Sequence, residues 1–362
     1  MDLIIWTERF FPEIGGLELA MFRLYSDMRQ RGVHTRVITC SSLYSDNRDP
    51  DVSYFSPNNF LEKSLAFIAE NSPKVRCLYI ARILQRKVND HLGVLKRLPD
   101  IPYVLLRSPT THHISLVYKS DRDGVIGAKV DIIITLNDQS FEVARQLYPE
   151  KTIVKFYNSV PLPATYKATY QTYYIFAGRI TPSKNLHALL RGWRIWQSHG
   201  APSWAVLKIF GIPYNKSYFE DCMLLLRDMP NAVYCGTYSP GDLAAINGAS
   251  FVIIPSFREG HPHVMNEAFA SGTPVISANI PGLLEHNSFD PHLLINRPDD
   301  AGEIASVLGY ASRMSEADYL LLSKKVRHYA ASKLCENQEA AYIADLLSQG
   351  RLGYQAAQSL PD

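Results

Sequence analysis

The chain has 362 residues, 46% of them hydrophobic and 20% charged, with a formal net charge of +2. That balance excludes a disordered polar chain and gives no electrostatic footprint for nucleic acid, and the length predicts two globular cores rather than one. The five cysteines (Cys40, Cys77, Cys222, Cys235, Cys335) are odd in number and show no CxxC spacing. They read as reduced thiols rather than a disulfide framework or a zinc site. Asp2 and a strand-like run stand where a basic leader would be, and no apolar run approaches the roughly 18 residues of a membrane span. A cytoplasmic protein is therefore expected.

The chain opens as a βαβ unit. Leu3 to Trp6 is a strand and Phe10 to Glu18 a loop. Leu19 to Arg31 is an amphipathic helix ended by Gly32, and Val33 to Thr39 is the next strand. Gly15 and Gly16 at the first turn fit either a plain tight turn or a close backbone approach to a ligand phosphate.

The spacing over Pro73 to Leu98 predicts a mostly helical stretch, broken near Gly93. Lys74, Arg76, Arg82, Arg86, Lys87, Lys96 and Arg97 face one acid, Asp90, with Val75, Leu78, Tyr79, Ile83 and Leu84 interleaved. Residues 74–97 then read as an ordinary amphipathic surface helix. The second reading is attraction to anionic lipid heads or an anionic acceptor, with peripheral contact at the inner face of a membrane.

Tyr103 to Leu106 is another strand, followed by Arg107-Ser108-Pro109-Thr110-Thr111-His112-His113. Asp121-Arg122-Asp123 has the form of a metal-holding triplet. It follows Tyr-Lys-Ser rather than an apolar strand and precedes Gly124, so a solvated turn is expected. Val130 to Thr135 is a strand, and Asn137 or Asp138 caps a helix to about Leu147. Lys151 to Phe156 is the next strand. The polar stretch Pro161 to Gln171 reads as a linker.

A second α/β run starts at Tyr173 to Ala177. Gly178-Arg179-Ile180-Thr181-Pro182-Ser183-Lys184-Asn185 follows, then a helix from Leu186 to Gln197. Arg and Lys suit phosphate oxygens, the one as a fork of donors and the other as a compact charge. Strands follow at Ala205 to Phe210, Ala232 to Cys235, Phe251 to Ile254 and Val275 to Ser277. Tyr234 to Tyr238 lies at a strand end where aromatics fit a nucleotide base or the core. After Ile254 comes a tight loop with Glu259, and Pro262 fits the first position of a helix carrying Glu267. Such a helix N-terminus attracts anions. Taken singly, each Glu fits a helix start equally well.

Three ordered motifs carry a resemblance: Phe11-Pro12 to Gly15-Gly16 and Glu18; Gly178-Arg179 to Lys184-Asn185; and Glu259-Gly260-His261-Pro262-His263-Val264 to Glu267-Ala268. Together they resemble retaining GT-B glycosyltransferases of family 4, the glycosyl transferases group 1. Tyr157-Asn158-Ser159-Val160 resembles the turn that closes that family's first domain, and Ile280-Pro281-Gly282-Leu283-Leu284-Glu285 its Gly-Gly-Leu-x-Glu loop. In this chain His261-Pro262-His263 replaces the family's more usual aromatic-glycine pair. The resemblance implies an α/β GT-B fold of two Rossmann-like domains facing a central cleft: residues 1–160 for the acceptor, 161–345 for the nucleotide-sugar, and 346–362 packing back on the first.

It further implies Glu259, Arg179 and Lys184 as catalytic residues. Gly15, Gly16, Gly260, His261, Pro262, His263, Val264, Glu267 and Tyr238 would hold the donor. Arg107 and His112 would lie on the acceptor side, where the family often has a histidine after the strand. The implied partners are a UDP- or GDP-sugar and a hydroxyl acceptor, a lipid-linked one included, with no metal and no other cofactor. A glycoside hydrolase would also use two carboxylates but needs no Arg-Lys pair. A periplasmic sugar-binding protein would need an export signal. A catalytically inactive GT-B nucleotide-binding subunit is the non-enzyme alternative.

Overall fold

In the computed structural model the chain forms two compact units, Met1–Tyr157 joined by the chain from Asn337, and Asn158–Glu336. The structure describes all residues except 14, 41–48, 85–86, 238–242 and 350–362.

The first unit runs β1 (Leu3–Trp6), α1 (Gly16–Gln30), β2 (Thr35–Cys40), β3 (Val52–Phe55), α2 (Phe60–Asn71), β4 (Cys77–Ile80), α3 (Val88–Lys96), β5 (Tyr103–Arg107), α4 (Thr111–Ser120), α5 (Val125–Lys129), β6 (Ile132–Thr135), α6 (Asp138–Leu147) and β7 (Thr152–Lys155). Its seven strands pair in parallel in the order β3-β2-β1-β4-β5-β6-β7. A parallel sheet covered by helices on both faces needs apolar residues on both. Accordingly Ile4 and Trp6 enter one core with Leu78, Ile80, Val104 and Leu106. Leu3 and Ile5 enter the opposite core with Met21, Leu24, Tyr79 and Leu105.

The second unit runs β8 (Tyr174–Ala177), α7 (Leu186–Ser198), β9 (Leu207–Phe210), α8 (Lys216–Leu226), β10 (Ala232–Tyr234), α9 (Leu243–Asn247), β11 (Phe251–Ile254), α10 (His263–Ala270), β12 (Val275–Ala278), α11 (Pro281–Leu284), β13 (Leu294–Ile295), α12 (Ala301–Ser312) and α13 (Glu316–Tyr329). Its six parallel strands lie in the order β10-β9-β8-β11-β12-β13. α7 and α12 pack closely because Gly192 lets Ile304 and the Ala301 carbonyl approach. The chain then returns to the first unit as α14 (Gln338–Gln349). The return was expected at residue 346 and comes at Asn337, because Ala340, Ile343, Leu346 and Leu347 all belong to the first unit's core.

The helix expected over residues 73–98 is corrected by the structure. Cys77–Ile80 is a fully buried strand between β1 and β5, and among the described residues of this stretch the α-helix is Val88–Lys96. Val75, Leu78, Tyr79 and Ile83, expected on the apolar face of a surface helix, are core residues. The exposed cations at the ends have acids beside them: Arg97 reaches Glu62 at 2.5 Å and Lys96 reaches Asp123 at 3.0 Å. Arg86 lies outside the described residues. The single amphipathic helix that would have lain on lipid is therefore absent. No helix among the described residues is long and apolar enough to cross a membrane.

One buried polar cluster ties α14 to the sheet. Glu339 accepts a hydrogen bond from the Tyr79 hydroxyl, and its Oε1 stands 3.6 Å from Arg107 Nε. Burial, then the Glu339 carboxylate, hold the Tyr79 hydroxyl well above its ordinary pKa, so it stays a donor. Glu339→Ala leaves the buried Arg107 charge without this counterion, and loss of one partner of a buried pair costs about 3–5 kcal/mol. The expected result is a first-unit unfolding transition at markedly lower urea, followed by a fluorophore in that unit. An unchanged midpoint would show that the cluster contributes nothing.

Candidate active site

In the second unit the strand order reverses between β8 and β11. These neighbours pair with Phe251 opposite Tyr174 and Val252 opposite Ile175, so their carboxyl ends lie side by side. In an open α/β sheet ligands bind in the crevice outside the carboxyl ends of the strands at such a reversal. The loop after β8 carries Arg179 and Lys184. The loop after β11 carries Glu259.

The two loops are tied together. The Phe257 N–H donates to the Ser183 carbonyl at 2.9 Å. Asn185 adopts the left-handed conformation with φ 58°, which Asn tolerates better than most residues. Its buried amide donates to the carbonyls of Pro255 at 3.1 Å and Pro298 at 2.5 Å. That anchoring delivers Lys184 to Glu259: Nζ stands 2.5 Å from Oε1, with the carboxylate side chain only 8% exposed. Sequence reasoning placed Lys184 and Glu259 in one site, and the structure brings them into direct contact. It gave Asn185 no role, because the partners that reveal one lie far along the chain.

The second cation behaves differently. Arg179 is exposed, and its guanidinium carbon lies 5.4 Å from the centre of the Tyr214 ring. Among the described residues no acid stands within ion-pair distance of it. Of the two loop cations, Lys184 is balanced by a carboxylate and Arg179, among the described residues, is not.

A third loop completes the floor. A Cβ on Gly282 would collide with the carbonyls of Glu259 and Gly260, so the first turn of α11 lies against that backbone only because the residue there is glycine. Pro262 is the N-cap of α10, one position before the place its sequence context suggested. His263 and Glu267, one helical turn apart, are both buried, and Val264 between them is partly exposed. His261 is turned away into the protein. Its Nδ1 accepts from the Asn158 N–H at 2.7 Å and its carbonyl accepts from the Asn158 amide at 2.5 Å. Its ring lies 4.2 Å from that of His286, and Asn266 donates to the Asn158 carbonyl at 2.6 Å. A ring nitrogen that accepts from a backbone N–H carries no proton, which fixes the tautomer. Tyr238 lies outside the described residues.

In the first unit Gly15 is the N-cap of α1 and Gly16 its first residue. A Cβ on Gly15 would strike the carboxylate of Glu18, which is buried beside it with Arg9 at 4.0 Å. The first turn of α1 thus carries its own anion. Arg107, expected on the acceptor side, is buried against Glu339. His112 is exposed on the first turn of α4. His113 is fully buried: Nε2 stands 2.7 Å from the Ile83 carbonyl and must donate, so Nδ1 accepts from the Ser108 hydroxyl at 2.7 Å. Asp121 caps α5 through Val125 N–H at 2.7 Å and Ile126 N–H at 2.8 Å, which is the turn role its context suggested.

Residues 171–311 match the family model "Glycosyl transferases group 1". The matched stretch lies wholly within the second unit. Within curated relatives, an uncharacterized glycosyltransferase of Methanocaldococcus jannaschii is 33% identical over 113 residues, 31% of this chain and 28% of that protein. The capsular polysaccharide biosynthesis glycosyltransferase CapM of Staphylococcus aureus is 30% identical over 110 residues, 30% of this chain and again 28% of its own length. The chain thus matches less than a third of either relative. Across the whole chain the likeness is one of fold. Sucrose-phosphate synthase from Thermosynechococcus elongatus superposes with TM-score 0.74 at 16% identity, covering 96% of this chain and 98% of that one. Anabaena HepE in complex with UDP-glucose gives 0.72 at 14% identity, covering 96% and 99%. The chain has the α/β GT-B fold, and the stretch that matches the family model contains the Lys184–Glu259 crevice.

His113 also generates a pH prediction. Burial, then the charge of Arg82, push its imidazole down to about 3. A group depressed on folding from about 6.5 stabilises the fold in full above that value. The contribution is lost as pH falls toward 3, because the unfolded chain binds the extra proton. Urea midpoints from pH 7 to 4 are expected to fall less steeply in His113→Gln, by up to about 1.4 kcal/mol per pH unit. Parallel pH profiles for the two proteins would contradict the assignment.

Proposed function

We propose that the chain is a metal-independent, retaining glycosyltransferase of the family 4 type. It moves a sugar from a UDP- or GDP-sugar to a hydroxyl acceptor. The observation that carries this reading is the Lys184–Glu259 pair at the strand-order reversal, with the uncompensated Arg179 beside it, inside the stretch that matches the family model. That HepE binds UDP-glucose supports a nucleotide-sugar donor, and the naming of CapM supports a role in polysaccharide or related glycan synthesis.

The chemistry follows from where charge grows. As the glycosidic bond of the donor breaks, negative charge accumulates on the departing diphosphate. Arg179 and Lys184 are fixed cations at that point, and preorganised charges stabilise a transition state without reorganising. They supply the role a divalent metal would otherwise fill. Glu259 holds hydroxyls of the transferred sugar, and Glu267 those of the ribose. The acceptor hydroxyl attacks from the leaving-group face, with a phosphate oxygen taking its proton. With residues 74–97 resolved into a core strand and a short helix, contact with lipid loses its structural support. The acceptor is then a hydroxyl compound, lipid-linked or free.

The test follows nucleoside diphosphate release from a panel of UDP- and GDP-sugars with mixed acceptors, with and without EDTA. Release that persists in excess EDTA is expected. Restoration by Mn²⁺ after its loss would overturn metal independence. Arg179→Ala should cost on the order of 2–4 kcal/mol in turnover, judged from removal of a comparable preorganised donor. Glu267→Ala should mainly weaken binding of the nucleoside diphosphate. Glu259→Gln should lower turnover while UDP or GDP binds more tightly, because Lys184 loses its competing carboxylate. Nucleotide binding without release from any donor would point to an inactive subunit. Wild-type rates in all these variants would place the chemistry elsewhere.

A further inference from the structure

Arg179 and Tyr214 sit on adjacent loops that the backbone zips together. Gly178 N–H donates to the Phe210 carbonyl at 3.1 Å, Ile180 N–H to the Ile212 carbonyl at 2.9 Å, and Asn215 N–H to the Ile180 carbonyl at 3.3 Å. Ile180 and Pro213 form a parallel bridge. The approach is close enough that a Cβ on Gly211 would overlap the Gly178 carbonyl. Arg179 and Tyr214 therefore leave neighbouring points of a rigid ladder, and the guanidinium lies over the ring at 5.4 Å.

A ring face holds a cation differently from a carboxylate. It attracts the charge without neutralising it, and a guanidinium over a ring keeps N–H donors in its own plane for an oxyanion. Lys184 shows the contrast: its partner Glu259 competes for the same charge. Tyr214 is 51% exposed, so the ring is not needed to fill a core. In sequence it stands well beyond the Gly178–Asn185 stretch.

We propose that Tyr214 is the positioning residue for Arg179, holding the guanidinium at the crevice with its charge and donors free for the diphosphate. The proposal rests on the donor-site reading above and deepens it. The tests use full-length protein and inorganic pyrophosphate, so they do not depend on which sugar is transferred. The first readout is the Arg179 Nε–H signal in ¹⁵N-arginine-labelled protein, assigned by its disappearance in Arg179→Lys. A proton over a ring face is shifted upfield. The shift is expected in the wild type and in Tyr214→Phe, and is expected to vanish in Tyr214→Leu. The second readout is calorimetric pyrophosphate affinity. Tyr214→Leu should weaken it by about threefold to tenfold, the scale of a cation–π contact between exposed and desolvated limits. Tyr214→Phe should bind like the wild type, and in an Arg179→Ala background Tyr214→Leu should add nothing.

An unshifted Arg179 signal in the wild type would overturn the proposal. So would equal losses from Tyr214→Leu with and without Arg179, which would mean the ring meets the anion's neighbourhood independently. A Tyr214-dependent signal combined with pyrophosphate binding that is absent, or indifferent to Arg179→Ala, would instead overturn the donor-site reading while leaving the contact itself intact. Thermal midpoints of the Tyr214 variants, expected near wild type for a half-exposed loop residue, separate these results from misfolding.

Discussion

The active crevice depends on one constraint, the side-by-side pairing of β8 and β11 with connections that leave in opposite directions. At that point the loops after β8 and β11 start at the same level and lie against each other. The Ser183–Phe257 backbone bond and the Asn185–Pro255 bond are direct products of it. Lys184 and Glu259 are 75 residues apart and meet because the sheet leaves them no other course. The pair is largely withdrawn from water, which strengthens its attraction and also raises the cost of separating it. Any anion drawn to Lys184 would have to compete with a carboxylate already in place.

Glycine and asparagine do the fitting. Gly282 admits the loop after β12 onto the Glu259–Gly260 backbone, and Gly211 admits the loop after β9 onto Gly178. Asn185 takes a left-handed backbone that most residues resist and donates its amide to the carbonyls of Pro255 and Pro298. His261 is the counterpart on the other side of Gly260. Its ring and carbonyl both go to Asn158, so the donor loop is held by the first residue of its own unit. A residue that sequence reasoning set against the ligand works through the loop's position.

The sequence was legible where a feature is local. Leu3–Trp6 and Phe251–Ile254 are continuous apolar runs and appear as strands with those bounds. Asn137 and Asp121 cap helices a few residues on, as short polar side chains before helices should. Legibility failed where the decision lies elsewhere in the chain. Cys77–Ile80 reads as part of a basic helix because its flanks are rich in Lys and Arg, yet β1 and β5 on either side make it a strand. Arg107 follows a strand at a place suited to substrate. Nothing within reach of it in sequence hints that Glu339 buries it. His113 likewise is claimed by a carbonyl thirty residues upstream.

That difference separates the two units physically. In the second, Asn158–Glu336 is one continuous segment, and Lys184 and Glu259 meet in its crevice. In the first, the most conspicuous polar side chains are used to complete the core. Tyr79 and Arg107 lie on adjacent strands and share one carboxylate, which arrives only on α14. The apolar face that flanks α1 is also finished by Ala340, Ile343, Leu346 and Leu347. The first unit thus does not gain the carboxylate beside its buried Arg107, nor cover that face of its sheet, until the chain has made the second unit and come back. Closing so long an excursion costs little more than closing a short one, because loop entropy grows only with the logarithm of length. A buried ion pair and four apolar side chains are enough to hold the return in place, and they make α14 part of the first unit's stability rather than an appendage to the second.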